Sequence, residues 1–121
     1  MIQIRLSHYE PCDPTEDCLG RTHIGYQEGM TEAEAFEAGR GVWKLKADRV
    51  LDQDEVQIIN LDGTVVAVAT ITGITKCGDR QAIEGTLLTG DPRVGQPTTT
   101  PHLSRNPVGY FETSRAGHAG G

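Results

Sequence analysis

The chain has 121 residues, 36% of them apolar, and a net charge of −6. That is material for one modest hydrophobic core and not for two. No apolar run approaches the roughly 20 residues that a membrane-crossing helix needs, and the opening Met1-Ile2-Gln3-Ile4-Arg5 carries neither block of a secretion signal, so a cytoplasmic protein without a membrane partner is expected.

The acid excess lies in the first third: residues 1–37 carry eight acids against Arg5 and Arg21, whereas residues 38–121 carry nine of each sign. Affinity for nucleic acid through phosphates needs a basic face, so tight non-specific binding is excluded. A pocket responds to nearby charges more than to the total, and a local site around Arg40, Lys44, Lys46 and Arg49 stays open. Cys12, Cys18 and Cys77 are an odd number in a chain without an export signal, which points to reduced thiols rather than a disulfide framework.

In chain order, residues 2–6 read as a short strand. Residues 8–29 are rich in Pro, Gly, Asp, Cys and His with no sustained apolar period, so they read as a long loop with local turns. A loop of that length either covers a site or is mobile. Thr31-Glu32-Ala33-Glu34 is a capping box that opens a helix over residues 32–38, with Phe36 as its core anchor. Gly39 is placed to end it in the left-handed conformation.

From Glu55 the period becomes that of strands, with Val56, Ile58 and Leu61 leading into a hairpin turn at Asp62-Gly63. The return strand spans residues 64–72, and its Val65-Val66-Ala67-Val68-Ala69 run is apolar on both faces, as in a central strand covered on two sides or curled into a barrel. A third strand covers residues 82–88. Between Gly90 and Pro107 prolines and glycines recur too often for regular structure, and residues 113–121 form a tail with little to bury, outside a single domain over residues 1–112.

Three pieces occur in a familiar order: Thr31-Glu32-Ala33-Glu34-Ala35-Phe36-Glu37-Ala38-Gly39-Arg40-Gly41-Val42-Trp43, then the hairpin from Glu55 to Ile74, then Arg105-Asn106-Pro107-Val108-Gly109-Tyr110. Together they resemble small PUA-like proteins related to EVE and ASCH domains, over residues 30–111. The resemblance implies an α+β, β-rich fold, an open or mixed β-barrel with one or two short flanking helices. It also implies a module that holds a nucleotide, or a base of a nucleic acid that can be a modified one, in a cleft beside the barrel.

Four side chains are candidates for that cleft. Arg40 pairs with charge or a base edge, Trp43 and Tyr110 stack, and Asn106, both donor and acceptor, reads the Watson–Crick edge. The plainer alternatives are that Trp43 is a core anchor, that Arg40 ties down helix carbonyls, that Asn106-Pro107 starts a turn and that Tyr110 packs the last strand. Cys12, Cys18, His23 and Cys77 have zinc-binding chemistry but lack the tight Cys-x2–4-Cys spacing, so no metal or other cofactor is expected. His8, His102 and His118 read as surface residues.

No sequence signature of a hydrolase or transferase is present, so an enzyme would need residues that converge only in space, and no catalytic residue is assigned. Besides the binding module, an acidic interaction or regulatory module that meets a basic protein partner through the first third remains as an alternative, as does a small hydrolase or transferase.

Overall fold

The computed structural model describes residues 1–99 and 108–110. The class is α+β and strand-rich. A five-stranded mixed sheet is formed by β1 (Ile2–Arg5), β4 (Glu55–Ile59), β5 (Val65–Cys77), β6 (Arg80–Leu87) and β7 (Val108–Tyr110), in the order β6-β5-β4-β1-β7. β1 runs parallel to β4 and antiparallel to β7, and the β4–β5 and β5–β6 pairs are antiparallel. The described strands form an open sheet and not a closed barrel, with β6 and β7 at its two ends.

β5 is long because its halves serve different neighbours. Residues 65–70 pair with β4, residues 69–77 pair with β6, and a register shift in each ladder accommodates the offset. The run apolar on both faces is covered on two sides, as its pattern requires. Ala67 and Ala69 join Ile2, Ile4, Val56, Ile58, Ile83 and Phe36 in the main core, while Val65 and Val68 pack with Ile59 against Leu88 and Val94. On that second face the buried side chains of Gln3 and Gln57 are joined: Gln3 Nε2 donates to Gln57 Oε1 at 3.0 Å, and Thr98 Oγ1 donates to the same oxygen at 2.8 Å.

α1 (Glu32–Gly39) lies on the main core face and buries Ala35, Phe36, Ala38 and Gly39. Its capping box is complete, with Glu34 N–H donating to Thr31 Oγ1 at 3.1 Å and Thr31 N–H to Glu34 Oε1 at 2.9 Å. Gly39 corrects the sequence reading. It is the last helical residue, its φ is not positive, and Arg40 caps the helix in the right-handed region. Glycine fits the tight space there, since an added Cβ would stand 2.9 Å from Ile58 Cδ1 and 3.2 Å from Leu6 Cδ2 and those side chains would have to shift.

The hairpin turn likewise needs only one positive φ, at Gly63 (81°), and Asp62 has none. Asn60 organises the turn instead, its Oδ1 accepting from Asp62 N–H at 2.9 Å and Thr64 N–H at 3.0 Å. A second helix, α2 (Ala47–Leu51), falls within the one or two short helices expected, at a place no motif marks; it has five residues, no side-chain cap and one buried residue, Val50.

Residues 8–29 are more ordered than a plain loop. β2 (Glu10–Pro11) and β3 (His23–Ile24) pair antiparallel and clasp the intervening residues, and the Tyr9 and His23 rings stack with centroids 5.1 Å apart. The expectation of reduced thiols is overturned: Cys18 and Cys77 form a disulfide between this segment and the end of β5, leaving Cys12 as the free cysteine. The two are 59 positions apart, and the tertiary fold that brings them together is not visible in a cysteine count. The Asn106-Pro107 turn, His102, His118 and the 113–121 tail lie outside the described residues.

Candidate functional site

After α1 the chain runs along the outer edge of β6. Ile83 N–H donates to Arg40 O at 2.7 Å, Trp43 and Gln81 exchange backbone bonds at 2.8 and 2.9 Å, and Gln81 Nε2 donates to Leu45 O at 2.6 Å. This covering of an edge strand places Trp43 beside the C-terminal end of α1, where its Nε1–H donates to Gly39 O at 2.8 Å. Residues 12–25 arch over the same place. Between the arch, the end of α1 and residues 41–43 lies a cleft of about 620 Å³, with the disulfide in its lining.

Arg21 holds the arch in position. It is buried, with 8% of its surface exposed, and forms a two-pronged pair with Asp17, Nε to Oδ2 at 2.9 Å and Nη2 to Oδ1 at 2.8 Å. Its Nη1 donates to Gly41 O at 2.6 Å, Ala38 O at 3.2 Å and Glu37 O at 3.4 Å. The unsatisfied carbonyls at the end of a helix need such donors, so the guanidinium both finishes α1 and anchors the arch. Its hydrogen bonds pull the Asp17 carboxyl down to about 2. Sequence reasoning missed this role and gave the helix carbonyls to Arg40; the one local signal was an arginine four residues after an aspartate.

The remaining charge in the cleft is acidic. Asp13 accepts from Thr15 N–H at 2.9 Å and Thr15 Oγ1 at 2.8 Å, and these bonds hold its carboxyl below the usual range. Among the described residues neither Asp13 nor Glu16 has a cation within ion-pair distance. The free Cys12 thiol donates to Arg21 O at 3.2 Å.

Of the four side chains expected in the site, Trp43 lines this cleft. Arg40 does not: its guanidinium turns to Glu37 Oε1 at 2.8 Å, Glu84 Oε2 at 3.0 Å and Ile83 O at 3.2 Å. Burial opposes its charge, yet the bonds to Glu37 and Glu84 prevail and raise its pKa. Tyr110 sits on β7 at the opposite end of the sheet, with the Arg49 guanidinium 3.8 Å from its ring centroid. Asn106 lies outside the described residues. Two of the four residues with zinc-binding chemistry, Cys18 and Cys77, are consumed by the disulfide. No protein-family model, curated protein or solved structure matches the chain.

Proposed function

We propose that the protein is a non-enzymatic binding module of PUA-like kind, in which the cleft under the arch holds one nucleobase, free as a nucleoside or displaced from a nucleic-acid strand. The observation that carries this reading is that the only tryptophan of the chain lines a cleft of about 620 Å³ whose unpaired charges are carboxylates. That volume falls within the range of about 300–1,000 Å³ usual for small-molecule sites. With its N–H engaged by Gly39 and part of its ring packed against the main core, the half-buried Trp43 indole has only its remaining surface to offer the cleft, and base stacking on an aromatic ring contributes about 1–3 kcal/mol. Asp13 and Glu16 are acceptors suited to the exocyclic amino groups of adenine or cytosine.

The same carboxylates oppose a phosphate inside the cleft, so the base enters and any phosphates stay outside. This narrows the ligand from a nucleotide to its base and sugar, and it removes Arg40 as a phosphate partner.

A thermal-shift screen against nucleosides, modified nucleosides and short single strands tests the reading, since a ligand that binds only the folded form must raise its apparent stability. The expected result is a shift with amino-bearing bases that is retained in Arg40→Ala and weakened about tenfold or more in concentration dependence in a folded Trp43→Leu. No shift with any of these ligands moves the assignment to a second reading, that the arch is the docking face for a basic partner. Asp13 and Glu16 are exposed on it, with Glu10 and Glu28 exposed on either side of it in the 8–29 segment, and salt-sensitive binding of polylysine is the corresponding result.

A further inference from the structure

Residues 12–20 form the outer part of the arch, and their polar contacts are turned inward. Cys12 N–H donates to Thr22 O, Glu16 and Asp17 N–H to Asp13 O, Gly20 N–H to Asp17 O, and Asp17 pairs with Arg21. Among the described residues no hydrogen bond or ion pair runs from residues 12–20 to anything beyond the 8–29 segment. Leu19 rests near Gly41 by apolar contact, and the one covalent tie outward is the Cys18–Cys77 disulfide, which joins the arch to the turn between β5 and β6. Both cysteines line the cleft, and Cys18 is exposed. Exposed disulfides are the ones open to thiol exchange, whereas structural ones are shielded or thermodynamically resistant.

We propose that the Cys18–Cys77 disulfide is a redox latch on the cleft. A low-molecular-weight thiol of the glutathione class attacks Cys18 Sγ as its thiolate. The S–S bond breaks, its electron pair leaves on Cys77 Sγ, and that thiolate takes a proton from water. A second thiol then attacks the mixed disulfide, freeing Cys18 and carrying away the oxidised reductant. The reverse sequence, driven by the oxidised form of the same thiol, closes the latch. Released at Cys18, residues 12–20 reach beyond the 8–29 segment, among the described residues, only through the Leu19 contact and through the Asp17–Arg21 pair that ties to the end of α1, and the mouth of the cleft widens between the arch and the β5–β6 turn. The importance of this opening for ligand control rests on the binding reading above; the opening itself does not.

Hydrogen exchange followed by mass spectrometry on the full chain tests the latch, comparing the oxidised protein, the protein reduced with glutathione and the Cys18→Ser/Cys77→Ser double variant. The expected result is that amides of residues 12–22 exchange at least about tenfold faster in the last two and do so by local opening, with little dependence on low guanidinium, while those of β4 and β5 still exchange through global unfolding, with the steep guanidinium dependence of the oxidised protein. Equal protection of residues 12–22 in all three forms overturns the proposal. So does a local, guanidinium-independent opening of β4 and β5 together with the arch, which means that the sheet loosens as one unit with it, and so does a mass analysis that finds Cys18 and Cys77 unlinked after treatment with oxidised glutathione. Nucleoside affinity measured on the same samples separates the two readings. A redox-dependent exchange difference with no nucleoside bound in any form supports the latch and overturns the base-binding function.

Discussion

Two arginines with similar local surroundings have different energetic weight, and burial and partners decide it. Arg21 has a side chain 6% exposed, facing an Asp17 side chain 11% exposed, whereas Arg40, 14% exposed, pairs with Glu37 and Glu84 side chains that are 46% and 44% exposed and stay solvated without it. Removing one partner from a buried pair leaves an uncompensated charge and orphaned carbonyls, which costs about 3–5 kcal/mol; removing one from a half-exposed pair costs about 1 kcal/mol or less. Chemical denaturation of Arg21→Ala and Arg40→Ala is expected to show that contrast, and equal losses would contradict it. The Asp17–Arg21 pair also sets a pH dependence. A carboxyl whose folded pKa lies below its unfolded value contributes stability fully above the unfolded value and loses it as pH falls through the folded one. For Asp17 those values are 3.8 and about 2. The melting temperature of the native chain is therefore expected to fall more steeply than that of Asp17→Asn as the solution is taken from about pH 5 to about pH 2, the two curves converging at the acid end. Parallel curves would show that the pair is not coupled to folding.

Among the elements, α1 separates what local chemistry specifies from what packing specifies. Its start was legible because the Thr31–Glu34 capping box is complete within four residues. Its end was not, because the need for Gly39 comes from Ile58 and Leu6, which are distant in sequence. Helix propensity alone makes Gly39→Ala stabilising by about 1 kcal/mol, while the crowding costs about 1–3 kcal/mol. Thermal melting is expected to show a net loss of about 1 kcal/mol, and a stabilised variant would mean that the Ile58 side chain yields freely. The β4–β5 hairpin was legible from alternation and from Asp62-Gly63, although the turn is built around Asn60, whose side-chain bonds reach two and four residues ahead. α2 was not, since five residues with one buried side chain and no cap have no periodic signature. The same holds for β2 and β3, two residues each.

For the whole molecule, composition bounded the fold to one core with an acidic first third, and the structure puts three of those eight acids, Asp13, Glu16 and Asp17, on an arch over a cleft. The candidate site was legible in part: Trp43 and the suspicion that residues 8–29 cover something were accessible from the sequence. Arg21 as anchor and the disulfide were not, because both depend on tertiary contacts. A cross-link between positions 59 apart stabilises by about 4 kcal/mol through the unfolded chain, so guanidinium unfolding of the reduced protein should begin at lower denaturant while the sheet still folds in water. Unchanged unfolding on reduction would mean that the unfolded chain is not constrained by this bond. The central claim is that the cleft takes a base against Trp43 and rejects phosphate, and the lone tryptophan allows it to be followed directly by titrating its fluorescence with adenosine, cytidine and their 5′-monophosphates. The account predicts a saturable change with at least one nucleoside, at concentrations about tenfold or more below those needed for its monophosphate. Tighter binding of the monophosphate, or no fluorescence change with any of the four, would contradict it.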